Sequence, residues 1–123
     1  MASVNQHLRQ ARHNESLANM LLSDSPVRYP DWAVTAAFYA ALHYVDYYFM
    51  CTASVAPARH DIRSSYINRD SRAKKIRFEY QNLRDRCDEG RYYCKRASPD
   101  IARGLLINEL QAIKMGMLLP TAK

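Results

Sequence analysis

Apolar residues recur at helical spacing along most of this chain, and the pattern predicts five helices. The first covers about Val4 to Leu22, and the second begins at Pro30 and runs to about Cys51. A short third helix opens near Arg59 and ends around Asn68, followed by loop and cap residues. The first half of the chain is therefore expected to hold two long helices and the start of a short one.

The second half predicts two further long helices. The fourth covers about Arg72 to Tyr93, and the fifth begins at Ser98-Pro99-Asp100, which supplies a cap, a first-turn proline and an acid. The fifth helix ends before Pro120. The apolar faces expected to point inward are Val4, Leu8, Ala11, Ala18 and Leu21 or Leu22 in the first helix, Ile76, Tyr80, Leu83 and Cys87 in the fourth, and Ile101, Leu105, Ile113 and Met117 in the fifth.

Short connections between long helices favour antiparallel neighbours. We therefore expect an all-α, up-and-down helical bundle of four long helices and one short helix, forming a single domain over residues 1–123. With only 3 glycines and 5 prolines among 123 residues, the chain has little material for the many tight turns of a sandwich or barrel. A hydrophobic fraction of 48% agrees with a globular domain rather than a disordered segment.

The second helix is apolar on nearly every side, which is typical of a buried central helix. It nevertheless carries Tyr39, His43 and Asp46 at spacings of four and three, so that they share one stripe. Burying an imidazole and a carboxylate is costly unless each finds a partner. The segment from Trp32 to Cys51 is long enough to cross a membrane, but its polar groups favour a core helix.

The start of the third helix could supply those partners. His60 and Arg63 lie one turn apart, and a chain that folds back across the second helix would bring them near His43 and Asp46. An Arg63–Asp46 ion pair with a histidine beside it would suit acid–base chemistry on a phosphate ester. Pairing that merely holds two helices in register is the other interpretation. His60, Arg63, His43 and Asp46 are thus the candidate catalytic residues.

Other kinds of site have less support. A metal bound by His43, Asp46 and His60 would have few ligands and no repeated histidine motif, so neither a metal nor another cofactor is expected. His7 and His13 are predicted to be surface residues of the first helix. The sequence has no glycine-rich phosphate loop and no serine in a glycine elbow.

The net charge of +6 is concentrated in the middle of the chain. Residues 59–96 hold 12 basic and 6 acidic side chains, interleaved with aromatic residues. Such a segment can bind phosphates and stack on unpaired bases, although a solvated helix surface would also carry charge. The candidate RNA- or phosphate-binding residues are Arg59, Arg69, Arg72, Lys75 and Arg84.

The three cysteines, Cys51, Cys87 and Cys94, stand in no metal-binding spacing. The N-terminal residues lack the apolar core of a signal peptide. We therefore expect reduced thiols in a cytoplasmic protein that does not enter a membrane.

Three segments together resemble the small prokaryotic HEPN-like proteins, the higher eukaryotes and prokaryotes nucleotide-binding domain. They are DWAVTAAFYAALHYVDYY, RHDIR and EYQNLRDRCDEGRYY, spread over about residues 31–93. The resemblance implies an up-and-down helical bundle that forms a homodimer. It also implies RNA or nucleotide binding or metal-independent ribonuclease activity, in phage-defence or toxin–antitoxin systems, and a possible nucleotidyltransferase-type antitoxin partner.

Catalytic members of that family carry an arginine followed, after four to six residues, by a histidine. In this chain no arginine precedes His43 or His60 at that spacing, and the order is reversed in His60 and Arg63. The sequence thus leaves three hypotheses open: an RNA- or nucleotide-binding protein, a metal-independent ribonuclease, and a non-catalytic helical scaffold or dimerisation module that binds a protein.

Overall fold

The computed structural model describes residues 2–118, which fold into an all-α bundle without strands in that range. Its helices are α1 (Val4–Leu22), α2 (Pro30–Ala53), α3 (His60–Arg69), α4 (Arg77–Tyr92) and α5 (99–117). A 3-10 turn, Ala73–Ile76, leads into α4. Four long helices and one short helix are present, as the sequence predicted.

Helix α2 is the centre of the bundle and packs against α1, α4 and α5. Pro30 occupies its first turn, where a missing N–H costs nothing, and Asp31 adds a negative charge at the positive helix end. More than half of its residues are buried, and one hydrophobic cluster extends from α1 through α2 to the end of α5. No helix within residues 2–118 has the length and apolar character needed to cross a membrane.

Helix α1 begins with a reciprocal cap. The Ser3 hydroxyl accepts from the Gln6 N–H at 3.2 Å, and the Gln6 side-chain oxygen accepts from the Ser3 N–H at 2.7 Å. Its buried face is formed by His7, Ala11, Glu15 and Ala18. The expectation that Ala11 and Ala18 point inward is confirmed, but the assignment of His7 to the surface is wrong.

Helix α4 buries Tyr80, Leu83 and Cys87 on the predicted face, with Ile76 of the preceding turn. The turn forms because the Asp70 carboxylate accepts from the backbone N–H groups of Arg72 and Ala73, at 3.1 and 2.9 Å. These contacts satisfy donors that a helix start leaves without partners. The regular part of α4 therefore begins five residues later than predicted.

Helix α5 runs through a π-helical segment, Leu105–Leu110, between two α-helical segments, Pro99–Gly104 and Gln111–Met117. The Ser98 hydroxyl accepts from the Ile101 N–H, as its cap position predicts. Leu105, Ile113 and Met117 are buried as expected, whereas Ile101 is 40% exposed and Ala102 is buried instead. The prediction for Ile101 is wrong because an unbroken 3.6-residue period does not hold across the π segment. Pro120, the predicted helix stop, lies outside the described residues.

Candidate functional site

The polar stripe of α2 is divided among three different partners. Tyr39 accepts a hydrogen bond from Arg91 of α4, His43 meets His7 of α1, and Asp46 pairs with Arg63 of α3. Each polar group on this largely buried helix is therefore satisfied by a different neighbouring helix. The single pocket expected to hold His43, Asp46 and His60 together does not form, although His43 and Asp46 remain neighbours on α2.

The ion pair between Asp46 and Arg63 is buried and bidentate. The Arg63 Nε and Nη2 atoms donate to the two carboxylate oxygens at 2.8 and 3.0 Å, and Nη2 also donates to the Pro57 carbonyl at 2.7 Å. Burial acts to lower the pKa of Arg63, but the Asp46 carboxylate outweighs it and the pKa is raised. The ion pair expected from the sequence is confirmed, and it fixes the start of α3 to α2.

Arg63 is only 5% exposed, and Asp46 only 3%. Three hydrogen bonds already occupy the guanidinium. A phosphate group on the surface cannot reach it without unfolding the local structure. The geometry thus gives these two residues a role in packing and argues against direct substrate contact.

His43 lies beside His7 rather than His60. Their Nδ1 atoms are 3.1 Å apart and their ring centroids 5.3 Å apart. His7 is 6% exposed, which overturns its assignment to the surface. Burial lowers the pKa of His43, and the nearby Asp46 carboxylate opposes this shift only in part.

His60 lies on another side of α2, against Phe38, with ring centroids 5.9 Å apart. Its Nδ1 atom is buried without a hydrogen-bond partner in the part of the chain that the structure describes. Burial lowers the pKa of His60, and the positive charges of Arg84, Arg63 and Arg91 lower it further. The predicted group of His60 with His43 and Asp46 does not form, because α3 turns its first residue toward α4.

Near His60, Arg91 contacts two aromatic side chains on the outside of the bundle. Its Nη1 donates to the Tyr39 hydroxyl at 2.8 Å, and its Cζ lies 5.1 Å from the centroid of the Tyr92 ring. Trp32 and Arg91 line the same small cavity of about 150 Å³. We call Trp32, Tyr39, Arg91 and Tyr92 the arginine–aromatic surface.

The arginine–aromatic surface is largely exposed, and Arg91 gives it a positive charge. Trp32 is 56% and Tyr92 64% exposed, values that are high for side chains of this size. Arg84 and Arg91 lie close enough to the neighbouring His60 to lower its pKa, and the carboxylate of Asp88 opposes them. Asp31 lines the same cavity as Trp32 and Arg91. Flat rings beside a guanidinium form a platform on which unpaired bases stack while phosphates contact the charge.

The predicted phosphate-binding cations lie in different surroundings. Arg59 is paired with Asp61 on the surface, and Arg69 donates to the Ser65 hydroxyl at 2.7 Å. Arg72 donates to the carbonyls of Gly116 and Leu118, at 2.7 and 3.0 Å, and so closes the end of α5. The remaining two are Lys75, which is exposed, and Arg84, which is half-buried beside His60. Their binding role stays a prediction, for which Arg84 has the most suitable surroundings.

Two features were missed at the sequence level. His7 continues the buried spacing of Ala11, Glu15 and Ala18, so the helical period itself could have indicated its burial. By contrast, no sequence signal places Trp32 next to Arg91, because they lie on different helices and meet only in the folded chain.

Comparison of this chain with protein-family models, with curated proteins and with solved structures gives no match.

Proposed function

We propose that this protein is a HEPN-like RNA-binding protein that holds single-stranded RNA on the arginine–aromatic surface, in the reducing cytoplasm. The observation that carries the proposal is the position of Arg91 between Tyr39 and Tyr92, with the exposed Trp32 on the same cavity. Bases would stack on the rings, while Arg91 and Arg84 would contact phosphates.

The proposal favours binding over cleavage. Of the four candidate catalytic residues, Arg63 and Asp46 are occupied by each other and His43 by His7. His60 is the one of the four that adjoins the proposed RNA surface. A ribonuclease mechanism would therefore depend on His60 together with Arg84 or Arg91 as the cation.

The proposal includes the homodimer and the possible nucleotidyltransferase-type partner that the resemblance implies. A second copy would place two arginine–aromatic surfaces in one particle, which would strengthen binding to a longer RNA through effective concentration.

The direct test measures binding of a labelled single-stranded RNA by fluorescence polarisation in the presence of a chelator. Affinity should fall steeply between about 50 and 200 mM salt, since each neutralised phosphate releases counterions. Trp32→Ala and Arg91→Ala should each weaken binding about fivefold or more, because a base stack contributes about 1–3 kcal/mol.

Arg86→Ala is the matched control for Arg91→Ala. Arg86 is also an exposed arginine of α4, but it pairs with Glu89 at 3.7 Å. Its replacement should leave affinity nearly unchanged. Equal losses in both variants would mean that general positive charge, and not the arginine–aromatic surface, is responsible.

A gel of the same reactions separates the remaining hypotheses. Cleavage that resists the chelator and disappears in His60→Ala would establish the ribonuclease and overturn simple binding. Absence of both binding and cleavage would favour the scaffold hypothesis, which the internally satisfied Asp46–Arg63 pair already supports.

A further inference from the structure

The contact between α1 and α2 contains a group of metal-ligating side chains that the proposed RNA surface does not use. One potential ligand atom each from His7, His43 and Asp46 lies within 4.8 Å of the other two. His7 comes from α1, whereas His43 and Asp46 lie one turn apart on α2. We propose that these three side chains bind one divalent transition-metal ion of the Zn²⁺ type.

The spacing of the two imidazoles suits a shared ion. Their Nδ1 atoms are 3.1 Å apart. For metal–nitrogen distances of about 2.05 Å, this separation corresponds to a nitrogen–metal–nitrogen angle of about 98°. That angle lies between octahedral and tetrahedral values, so both rings could bind the ion with small movements.

Asp46 would supply the anionic ligand while keeping its contact with Arg63. Each carboxylate oxygen accepts one hydrogen bond from Arg63, which leaves further lone pairs free. Metal-binding carboxylates are commonly held by such outer contacts, which fix their orientation. Two imidazoles and one carboxylate form a donor set that first-row divalent metals accept.

Without an ion, the two histidines are held by a contact between their Nδ1 atoms. With one proton between the two Nδ1 atoms, the rings can share a single hydrogen bond. The Nε2 atom of His7 is then buried with no hydrogen-bond partner among residues 2–118. Coordination of a metal through Nδ1 would put the proton of each neutral imidazole on Nε2, so this atom would not compete for the ion. The case for the site rests on the spacing of the three ligand atoms.

An ion could reach the group from the surface. His7 and His43 both line an open groove of about 860 Å³, together with Gln6, Gln10 and His13. Three protein ligands leave at least one coordination position for water or another ligand, and here that position would face the groove.

The test is a titration of the whole chain with Co²⁺ alone, followed by visible absorption at about pH 7.5, where imidazoles are neutral enough to bind metal. One ion per chain should bind, without the thiolate charge-transfer band that Cys51 or Cys94 would produce. His7→Gln and His43→Gln should each weaken binding at least about tenfold.

The controls are His13→Gln, in the same groove, and His60→Gln, on another side of α2. Both should bind Co²⁺ as the unchanged protein does. Loss of binding in His13→Gln, undiminished binding in His7→Gln, or a spectrum dominated by thiolate ligands would each overturn the proposal.

A measurement on the unchanged protein covers the case in which His7→Gln fails to fold. Added Zn²⁺ should shift the imidazole NMR signals of His7 and His43 and leave those of His13 and His60 in place. It should also raise the thermal midpoint, since an ion bound to the folded state alone stabilises it. Unshifted His7 and His43 signals would exclude the site. Neither result depends on RNA binding.

Discussion

A buried guanidinium such as that of Arg63 stabilises a protein only while its carboxylate partner is present. Arg63→Met alone, or Asp46→Leu alone, should lower the free energy of unfolding by about 3–5 kcal/mol, because each leaves the other charge buried and unpaired. The double variant should lose much less than the sum of the two. Urea unfolding of the three variants measures this coupling.

The exposed pair Arg59–Asp61 is the control for this cycle. Its side chains are about 70% exposed and lie 3.1 Å apart, so water already solvates both charges. Arg59→Met should leave the urea midpoint where it is. Additive losses in the Arg63 and Asp46 variants would show that the two side chains stabilise the fold independently.

His60 makes stability depend on pH. Burial and the charges of Arg84, Arg63 and Arg91, opposed by Asp88, lower its pKa below the ordinary 6.5. The neutral form therefore contributes its full stability above pH 6.5, and that contribution is lost as the pH falls through the lower, folded-state pKa. His60→Gln should flatten the loss of stability on this acid side, measured by urea unfolding at a series of pH values.

The exposed His13 provides the comparison for His60. His13→Gln makes the same substitution at an exposed position of α1 and controls for the loss of an imidazole as such. A curve for His60→Gln that coincides with the one for His13→Gln would contradict the assignment.

At the level of single elements, α5 contains two glycines with opposite surroundings. Gly104 has helical backbone angles, and a Cβ added there would meet nothing within 4 Å. A Cβ at Gly116 would lie 3.0 Å from the Cγ2 of Ile76. Gly104→Ala should therefore raise the free energy of unfolding by about 1 kcal/mol, because alanine loses less backbone entropy in a helix.

Gly116→Ala is the internal control for this element. The same gain in helix propensity should be offset by the crowded contact with Ile76, since overpacking forces neighbouring groups to move. Thermal unfolding should rank Gly104→Ala above the unchanged protein and Gly116→Ala below Gly104→Ala. The reverse order would show that α5 does not pack against the 3-10 turn in this way.

At the level of the whole molecule, Glu15 connects three helices. Its carboxylate accepts from the Tyr44 hydroxyl at 2.6 Å and from the Gln111 side chain at 3.0 Å, and it pairs with Lys114 at 3.3 Å. Burial alone would raise the pKa of Glu15, but these contacts outweigh it and lower the pKa below 4.5. The carboxylate thus holds α1, α2 and α5 together.

Glu15→Ala should destabilise the protein by about 1–3 kcal/mol, because the Tyr44 hydroxyl would be left buried without an acceptor. Amide hydrogen exchange should increase most at residues 111–117 of α5, whose contact with α1 is removed. Glu15→Gln keeps an acceptor and should lose less. Equal exchange in α5 before and after the change to alanine would refute this role.

The helices were largely predictable because their signals are local. The cap at Ser98, the proline at position 30 and the apolar period of α4 each act within a few residues. The ion pair of Asp46 with Arg63 was also predictable, because a buried carboxylate requires a partner and the third helix supplied the nearest cation.

The sequence by itself determined the helical class, the central position of α2 and the need for partners along its polar stripe. The tertiary structure alone decided which helix supplies each partner: His7 for His43, Arg91 for Tyr39, and α4 as the surroundings of His60. The physical reason is the distance along the chain over which each kind of interaction acts. Helix periodicity and capping arise from neighbours along the chain, whereas the pairing of polar groups depends on how whole helices rotate and pack against one another.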